Sequence, residues 1–269
     1  MEATEDERLL LRLRLALRVP QFRADKISNT IAIGKLAAEL LKDIRNSQAP
    51  YLDRIPVEAK AVISDDDFQL EPLLADDARI CHTAFHYIGA HRIGRHYGLS
   101  LRASRQAFLP YYSLTFSEFD IESADPFIRE WLSGLSLRVL SRAHAFRCAP
   151  YNAFSFSLSR AIRNLSENEA DVDALITYVN PNVGFTGATY RATGWVPLAE
   201  EAAKYYYLNE KYITVRELSK FGLFSSKDLA RGLQISGAEL LPLRIYALPV
   251  SKRSRIHFHR RGLHGKQDN

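Results

Sequence analysis

The sequence predicts an α+β protein, with a mixed central sheet, flanking helices and an N-terminal helical extension. Three observations predict it. Ala174 to Val179 is a short apolar, β-branched run stopped by Asn180-Pro181-Asn182, because proline bars its predecessor from the helical region. Phe185, Ala188, Thr189 and Ala192 then fall on one helical face, and Gly194 stands where a left-handed helix end belongs. Upstream, Leu137 to Cys148 (LRVLSRAHAFRC) reads as a long strand, and SFSLSRAIRNL keeps Leu158, Ala161, Ile162 and Leu165 at helical spacing. Trp195 and Val196 restart an extended segment, so the order is strand, helix, strand, helix, strand. Such connections favour neighbouring parallel strands joined by crossover helices.

The remaining elements follow in chain order. Residues 1–48 read as two helices broken at Pro20, with Ile31, Leu36, Leu40, Leu41 and Ile44 as the apolar stripe of the second, forming an accessory hairpin or a dimerisation element. Pro50 to Pro56 reads as a linker, giving an extension over residues 1–55 and a catalytic domain over 56–269. Pro72 to Arg92 predicts a helix entering a His-rich segment, and Arg105 to Ile121 alternates as one strand or a hairpin. Asp125-Pro126 opens a helix reaching Leu132, and Ser155 or Ser157 is the expected N-cap of the helix after Cys148. Ile213 to Leu233 suggests helix, turn, helix, which is either a DNA reader or two amphipathic helices joined at Gly222.

Size and composition exclude several classes. A chain of 269 residues, 46% apolar and 25% charged, can bury a substantial core. The opening MEATEDERLL is acidic and no apolar run reaches the roughly 20 residues of a membrane span, so a cytoplasmic location is the default expectation. Two cysteines supply neither a disulfide framework nor a Cys-based zinc site. Nucleophile-elbow, P-loop and dinucleotide signatures are absent. The net charge of +5 is modest, but Lys252, Arg253, Arg255, Arg260, Arg261 and Lys266 gather near the C-terminus with no acid before Asp268. With Ile256 and Phe258 interleaved, this reads as a basic strand and tail on a phosphate backbone, or as a solvated tail.

Two constellations carry chemistry on residue type alone. Asn152, Ser155, Ser157, Ser159 and Arg160 put hydroxyls, an amide and a guanidinium at a helix start, which suits phosphate or carboxylate. A helix turning about 100° per residue cannot aim all three serines at one ligand. Cys81, His82, His86, His91 and His96 form the other. On a single helix His82, His86 and His96 would share a face, able to bind iron or zinc or to take a proton from an attacking amine.

The strand ending at Asn180, the helix with Tyr190 and the Gly194-Trp195 pair resemble the closing half of GNAT N-acetyltransferase domains. That resemblance implies a GNAT-like fold, an acyl-CoA or another acyl or aminoacyl donor at the helix start, and Tyr190 as general acid toward the departing group. The Gly-rich loop of that family, Q/R-x-x-G-x-G/A, is absent, and the turn is Asn/Ser-rich instead. The run Pro150, Asn152, Ser155, Ser159, Arg160, followed by Asn180, Pro181, Gly184, Gly187, Tyr190 and Ala192, is similar to the Mom family of phage DNA-modification proteins. The family's upstream His-Tyr pair corresponds to His86-Tyr87, its basic strand to KRSRIHFH, and its usual Asp to Asn180. The resemblance implies a transferase that modifies an exocyclic amine of a nucleobase in DNA, adenine above all, as an anti-restriction device. Tyr190, Asn180, His86 and Tyr87 would then form the reaction centre, with iron as an optional metal. Two other readings stand beside it: an acetyl-CoA-dependent acyltransferase for a small-molecule or protein amine, and a non-catalytic nucleic-acid-binding protein.

Overall fold

The computed structural model describes residues 49–56, 67–86, 91–102, 108–121, 124–146, 148–168, 171–180, 185–201, 204–208, 211–214, 236–239 and 242–263. The two expected N-terminal helices, most of the expected helix pair over 213–233, Tyr87, Pro181, Gly184 and the last six residues lie outside these.

A seven-stranded mixed sheet organises the domain. Strands β1 (Phe68–Pro72), β2 (Arg95–Leu101), β3 (Tyr112–Glu118) and β4 (Leu137–Ala145) pair antiparallel in sequence. β4 pairs parallel with β5 (Ala174–Val179). β6 (Val196–Glu201) lies at the far edge and is joined to β5 by β10 (Leu243–Pro249), antiparallel to both. Pro197 is tolerated because β6 is an edge strand with a register shift. The backbones of β7 (Lys204–Leu208), β8 (Lys211–Thr214) and β9 (Ser236–Glu239) make a separate sheet in the order β8-β7-β9.

Strand alternation sends neighbouring side chains to opposite faces. Leu175 and Val179 of β5 join the cluster covered by α3 (Ala153–Asn168), whose Leu158, Ala161 and Leu165 are buried as their spacing requires. Burying each of those leucines contributes about 2 kcal/mol. Ala174 and Ile176 point the other way, onto α2 (Pro126–Trp131) and α5 (Lys252–Arg260). α2 starts as its sequence predicts, the Asp125 carboxylate accepting from the Phe127 N–H at 2.9 Å ahead of Pro126.

Several expectations are corrected. The helix expected over Pro72 to Arg92 is short, α1 (Ala75–Ile80) followed by one π turn over Cys81–Phe85, and His86 is already extended. The stretch Pro50 to Pro56 does not hang free. Its 3-10 turn Ala49–Arg54 docks on the domain, with Leu109 N–H donating to Arg54 C=O at 2.8 Å and Arg54 paired with Asp77 at 2.9 Å. β4 stops at Ala145, three residues before Cys148. The basic segment is the helix α5 rather than a strand. Ser251 caps it by accepting from the Ser254 N–H, and Ser254 and Phe258, four apart, are its buried residues.

Candidate functional site

The site begins where β4 and β5 part. Their parallel pairing holds only from Leu137↔Ala174 to Val139↔Ile176, although β4 runs on for six more residues. One cause is local: β4 carries an extra residue, Ser141, between the partners of Thr115 and Phe116, and such a bulge bends its strand. The Ser141 hydroxyl fills the gap by donating to Thr115 C=O at 3.1 Å. At the apex, the buried Thr177 hydroxyl of β5 donates to Leu140 C=O at 3.1 Å. Beyond it the strands splay into a wedge, with Asn180 buried at the end of β5.

Tyr190 reaches that apex. It sits on α4 (Ala188–Ala192), which ends as the sequence foretold: Gly194 takes φ +83°, its N–H donates to Arg191 C=O, and the Trp195 N–H donates to Tyr190 C=O. The ring meets Phe154 and Trp195 edge-on at 5.1 and 5.3 Å and stacks on Tyr246 at 6.0 Å. Burial pushes its phenol pKa up, and a hydrogen bond with Thr177 pulls it back down. Tyr112, buried on β3, has its own phenol pushed well above 10 by burial, then by the charge of Tyr190. Tyr190 therefore packs beside Trp195 and also presents its hydroxyl at the apex.

At the start of α3 the serines divide. Ser155 does not cap the helix, which begins two residues earlier; its exposed hydroxyl donates to Asn152 C=O at 3.1 Å. Ser159 likewise donates to Phe156 C=O at 2.9 Å. Ser157, the alternative cap, is fully buried one turn in, and its hydroxyl has no partner. The Arg160 guanidinium lies 3.5 Å above the Phe156 ring centroid, and Asn152 receives the Phe156 N–H at 3.0 Å. An activated acyl group suits the splayed apex and its phenol. The turn Ala149-Pro150-Tyr151-Asn152 does not suit a diphosphate in the manner of a glycine-rich cradle, because it holds no glycine.

The opposite face of β3 and β4 carries imidazoles. His82 does not share a helical face with His86 and His96; the chain turns after Phe85 and brings His91 and His96 back over it. His82 Nδ1 lies 3.2 Å from His91 Nδ1, and Thr115 Oγ1 sits 3.0 Å from both His82 Nε2 and His96 Nδ1. His86 is buried elsewhere, 6.4 Å from His144 of β4 between ring centroids. His144 is held between Phe85 and Phe146, and its Nε2 is buried without a partner. Burial lowers the pKa of all five, with His82 at about 3 and His144 at about 4, and Arg142 adds to the effect on His82, His86 and His91. These rings are neutral at pH 7. Iron is not supported: among the described residues no three His, Cys, Asp or Glu side chains converge as ligands. Cys81 is a buried free thiol pushed up to about 12 by burial.

Sequence reasoning did not single out Arg142, His144, Thr115, Thr177 or Tyr112. The alternation Arg142-Ala143-His144-Ala145 was the available signal: a polar stripe on a strand with both faces covered.

Of the basic residues expected to grip phosphate, Lys252, Arg253, Arg255, Arg260 and Arg261 are all exposed on or just past α5. Three also serve the fold: Arg255 donates to Val250 C=O at 3.5 Å. Arg253 donates to Gly134 C=O and pairs with Asp173 at 3.5 Å, and Arg261 donates to Glu130 C=O over the Trp131 ring. Helical spacing puts Lys252, Arg255, Ile256, His259 and Arg260 on one outward arc, opposite the buried Ser254 and Phe258.

Residues 135–261 match the model of the Mom protein family. No curated protein matches the chain. Among solved structures, a chain of the NatC complex bound to Gag peptide and CoA is 9% identical with a TM-score of 0.39, covering 69% of this chain and 99% of that one. FeeM, an N-acyl amino acid synthase from uncultured soil microbes, is 11% identical with a TM-score of 0.39, covering 70% of this chain and 97% of its own. Among the described residues no helix is long and apolar enough to cross a membrane. The stretch from residue 135 to residue 261, with its parallel strands splayed above a tyrosine-bearing helix, is thus the part of the chain that is similar to the Mom protein family, and it is carried on a mixed α+β sheet.

Proposed function

We propose that the protein is a transferase that places an acyl-type group on an exocyclic amine of a nucleobase in DNA, adenine in first place. The family match supports the substrate. One structural observation carries the choice among amines. The part of β4 freed from β5 bears Arg142 and His144 within a cluster of five neutral imidazoles, and the charges acting on those rings are cationic. A lysine-type ammonium entering there meets like charge, and among the described residues no carboxylate acts on the rings. An aryl amine is neutral at pH 7 and donates N–H to an imidazole lone pair. The cluster therefore favours a nucleobase amine over an alkyl amine of a protein or small molecule.

Placement supports the following roles. The donor supplies an activated carbonyl, carried by CoA or another leaving group. Tyr190, protonated at pH 7, holds a proton at Oη beside the apex for the departing group. Asn152 stands at the start of α3, where the helix dipole favours the donor's negative charge. His86 and His144, neutral, accept the amine's N–H on the other side of β4. Asn180 supplies a neutral amide at the end of β5. A base in duplex DNA must first be flipped out, which costs a few kcal/mol.

The test is mass spectrometry of nucleosides from DNA of cells expressing the chain. A new, heavier deoxyadenosine that disappears with Tyr190→Phe is the expected result. Unmodified DNA beside soluble, folded protein overturns the proposal.

A further inference from the structure

We infer that Thr177 is a positioning residue for Tyr190: its hydroxyl, hung on the Leu140 carbonyl where β4 and β5 part, fixes the phenol at the apex and turns to it when its proton leaves. The inference rests on the proposal that Tyr190 is the general acid.

Four observations support it. β4 and β5 pair only as far as Val139↔Ile176, so Thr177 is the first β5 residue without a β4 partner, and Leu140 is its counterpart on β4. The Thr177 hydroxyl bridges the two strands there by donating to Leu140 C=O at 3.1 Å. It is 2% exposed, so water does not compete for it. Tyr246, on which the Tyr190 ring stacks at 6.0 Å, is the direct cross-strand partner of Thr177, so the Tyr190 phenol lies on the same face as the Thr177 hydroxyl and hydrogen-bonds with it.

A hydroxyl has one hydrogen and two lone pairs. With Tyr190 protonated, Thr177 gives its hydrogen to Leu140 C=O and takes the phenol's O–H through a lone pair. In the proposed step the amine nitrogen bonds to the acyl carbon and gives one proton to the imidazole that held its N–H, the bond from acyl carbon to the departing atom breaks, and that atom takes the Tyr190 proton, leaving a phenolate. Thr177 then rotates its O–H from the neutral carbonyl to the phenolate, the stronger acceptor because it is charged. The phenolate regains a proton from solvent after product leaves. Tyr190 has no freedom to follow a displaced proton, since Phe154 and Trp195 hold its edges and Tyr246 its face. The rotor therefore belongs to Thr177.

The experiment uses the full chain with Thr177→Val, which keeps the shape and removes the hydroxyl, and Thr177→Ser, which restores it. Tyrosine ionisation is followed by near-ultraviolet difference titration, with Tyr190→Phe identifying the Tyr190 component. Transfer to duplex DNA is measured across pH. In Thr177→Val the Tyr190 transition moves to higher pH, the alkaline limb of the rate profile moves up with it, and kcat falls roughly tenfold to a hundredfold while KM for DNA holds. Thr177→Ser returns all three toward wild type. A Thr177→Val protein with unchanged titration overturns the inference, as does Thr177→Ser behaving like the valine variant. Should Tyr190→Phe keep full activity, the general-acid proposal fails, while the titration still reads the Thr177–Tyr190 pair. If Thr177→Val does not fold, Thr177→Ser alone decides: wild-type titration and rate support the rotor, and a valine-like shift in a folded serine variant overturns it.

Discussion

Gly187 lies against the hydroxyl of Tyr246. A Cβ built on Gly187 would overlap the Tyr246 phenol, and its φ of +76° already favours glycine. Tyr246 is also held by Arg191 Nη1, which donates to its hydroxyl at 2.9 Å. It forms the stacked wall behind Tyr190. Gly187→Ala is expected to cost about 2 kcal/mol or more in stability, read by urea unfolding, because left-handed strain and overlap add. It also displaces the Tyr190 ring, so transfer activity falls further than stability predicts. Tyr246→Phe keeps the wall, loses only the Arg191 contact, and costs about 1 kcal/mol.

Asp173 ties the closed end of the wedge. Its buried carboxylate accepts from Ser136 N–H at 3.1 Å and from the Ser251 hydroxyl at 2.6 Å, and its backbone C=O receives the N–H groups of Val250 and Ser251. It thus joins the start of β4, the start of β5 and the cap of α5. Asp173→Ala leaves those donors without an acceptor and should destabilise by about 2–3 kcal/mol in urea unfolding, since hydrogen bonds to a charged group are the stronger kind. The mutated end is remote from Tyr190, so activity per folded molecule should hold.

The histidines predict acid sensitivity. His82 and His144 are held neutral until about pH 3 and 4, whereas an unfolded histidine takes its proton near 6.5. Between those values the unfolded chain binds more protons. Stability is therefore fullest above pH 6.5 and falls as pH descends through the window, by about 1.4 kcal/mol per unit for each such histidine. His144→Phe, set between Phe85 and Phe146, removes one of them. Denaturation at pH 7.5 and 5 should show that variant gaining on wild type at the lower pH.

How much of this was legible follows from what each element depends on. The bounds of β5 and the Gly194 helix end were plain, because a proline after Asn180 and a glycine at a left-handed position act locally. The parallel pairing of β4 with β5 followed from element order, whereas the wedge and the choice of Tyr190 came from the family resemblance. α5 was misread because Ile256 and Phe258 suggest a period of two, while the buried pair that sets its phase includes a serine, Ser254. The histidine cluster was not legible, since a turn after Phe85 assembles it from the π turn after α1, from β2 and from β4. Thr177 looked like one more β-branched strand residue. Only the splay of β4 gives its hydroxyl a carbonyl to hold.

Because α5 is a helix, its cations separate into two kinds. Lys252, Arg255 and Arg260 share the outward arc, Arg255 touching only the neighbouring Val250 C=O at 3.5 Å, while Arg253 and Arg261 tie α5 to backbone carbonyls of the segment around α2. Each phosphate contact contributes nearly one unit to the slope of log affinity against log salt. Changing Lys252, Arg255 and Arg260 singly to Gln should lower that slope by about one apiece and weaken duplex binding alike for all sequences, with melting temperature unchanged. Arg253→Gln should behave differently, losing about 1 kcal/mol of stability with its Gly134 and Asp173 contacts, because a pair 68% exposed on the arginine side is screened. Fluorescence anisotropy on a labelled duplex across a salt series checks the three slopes. If the slopes do not move, the outward arc of α5 is a solubilising face, and the DNA must lie on another surface of the domain.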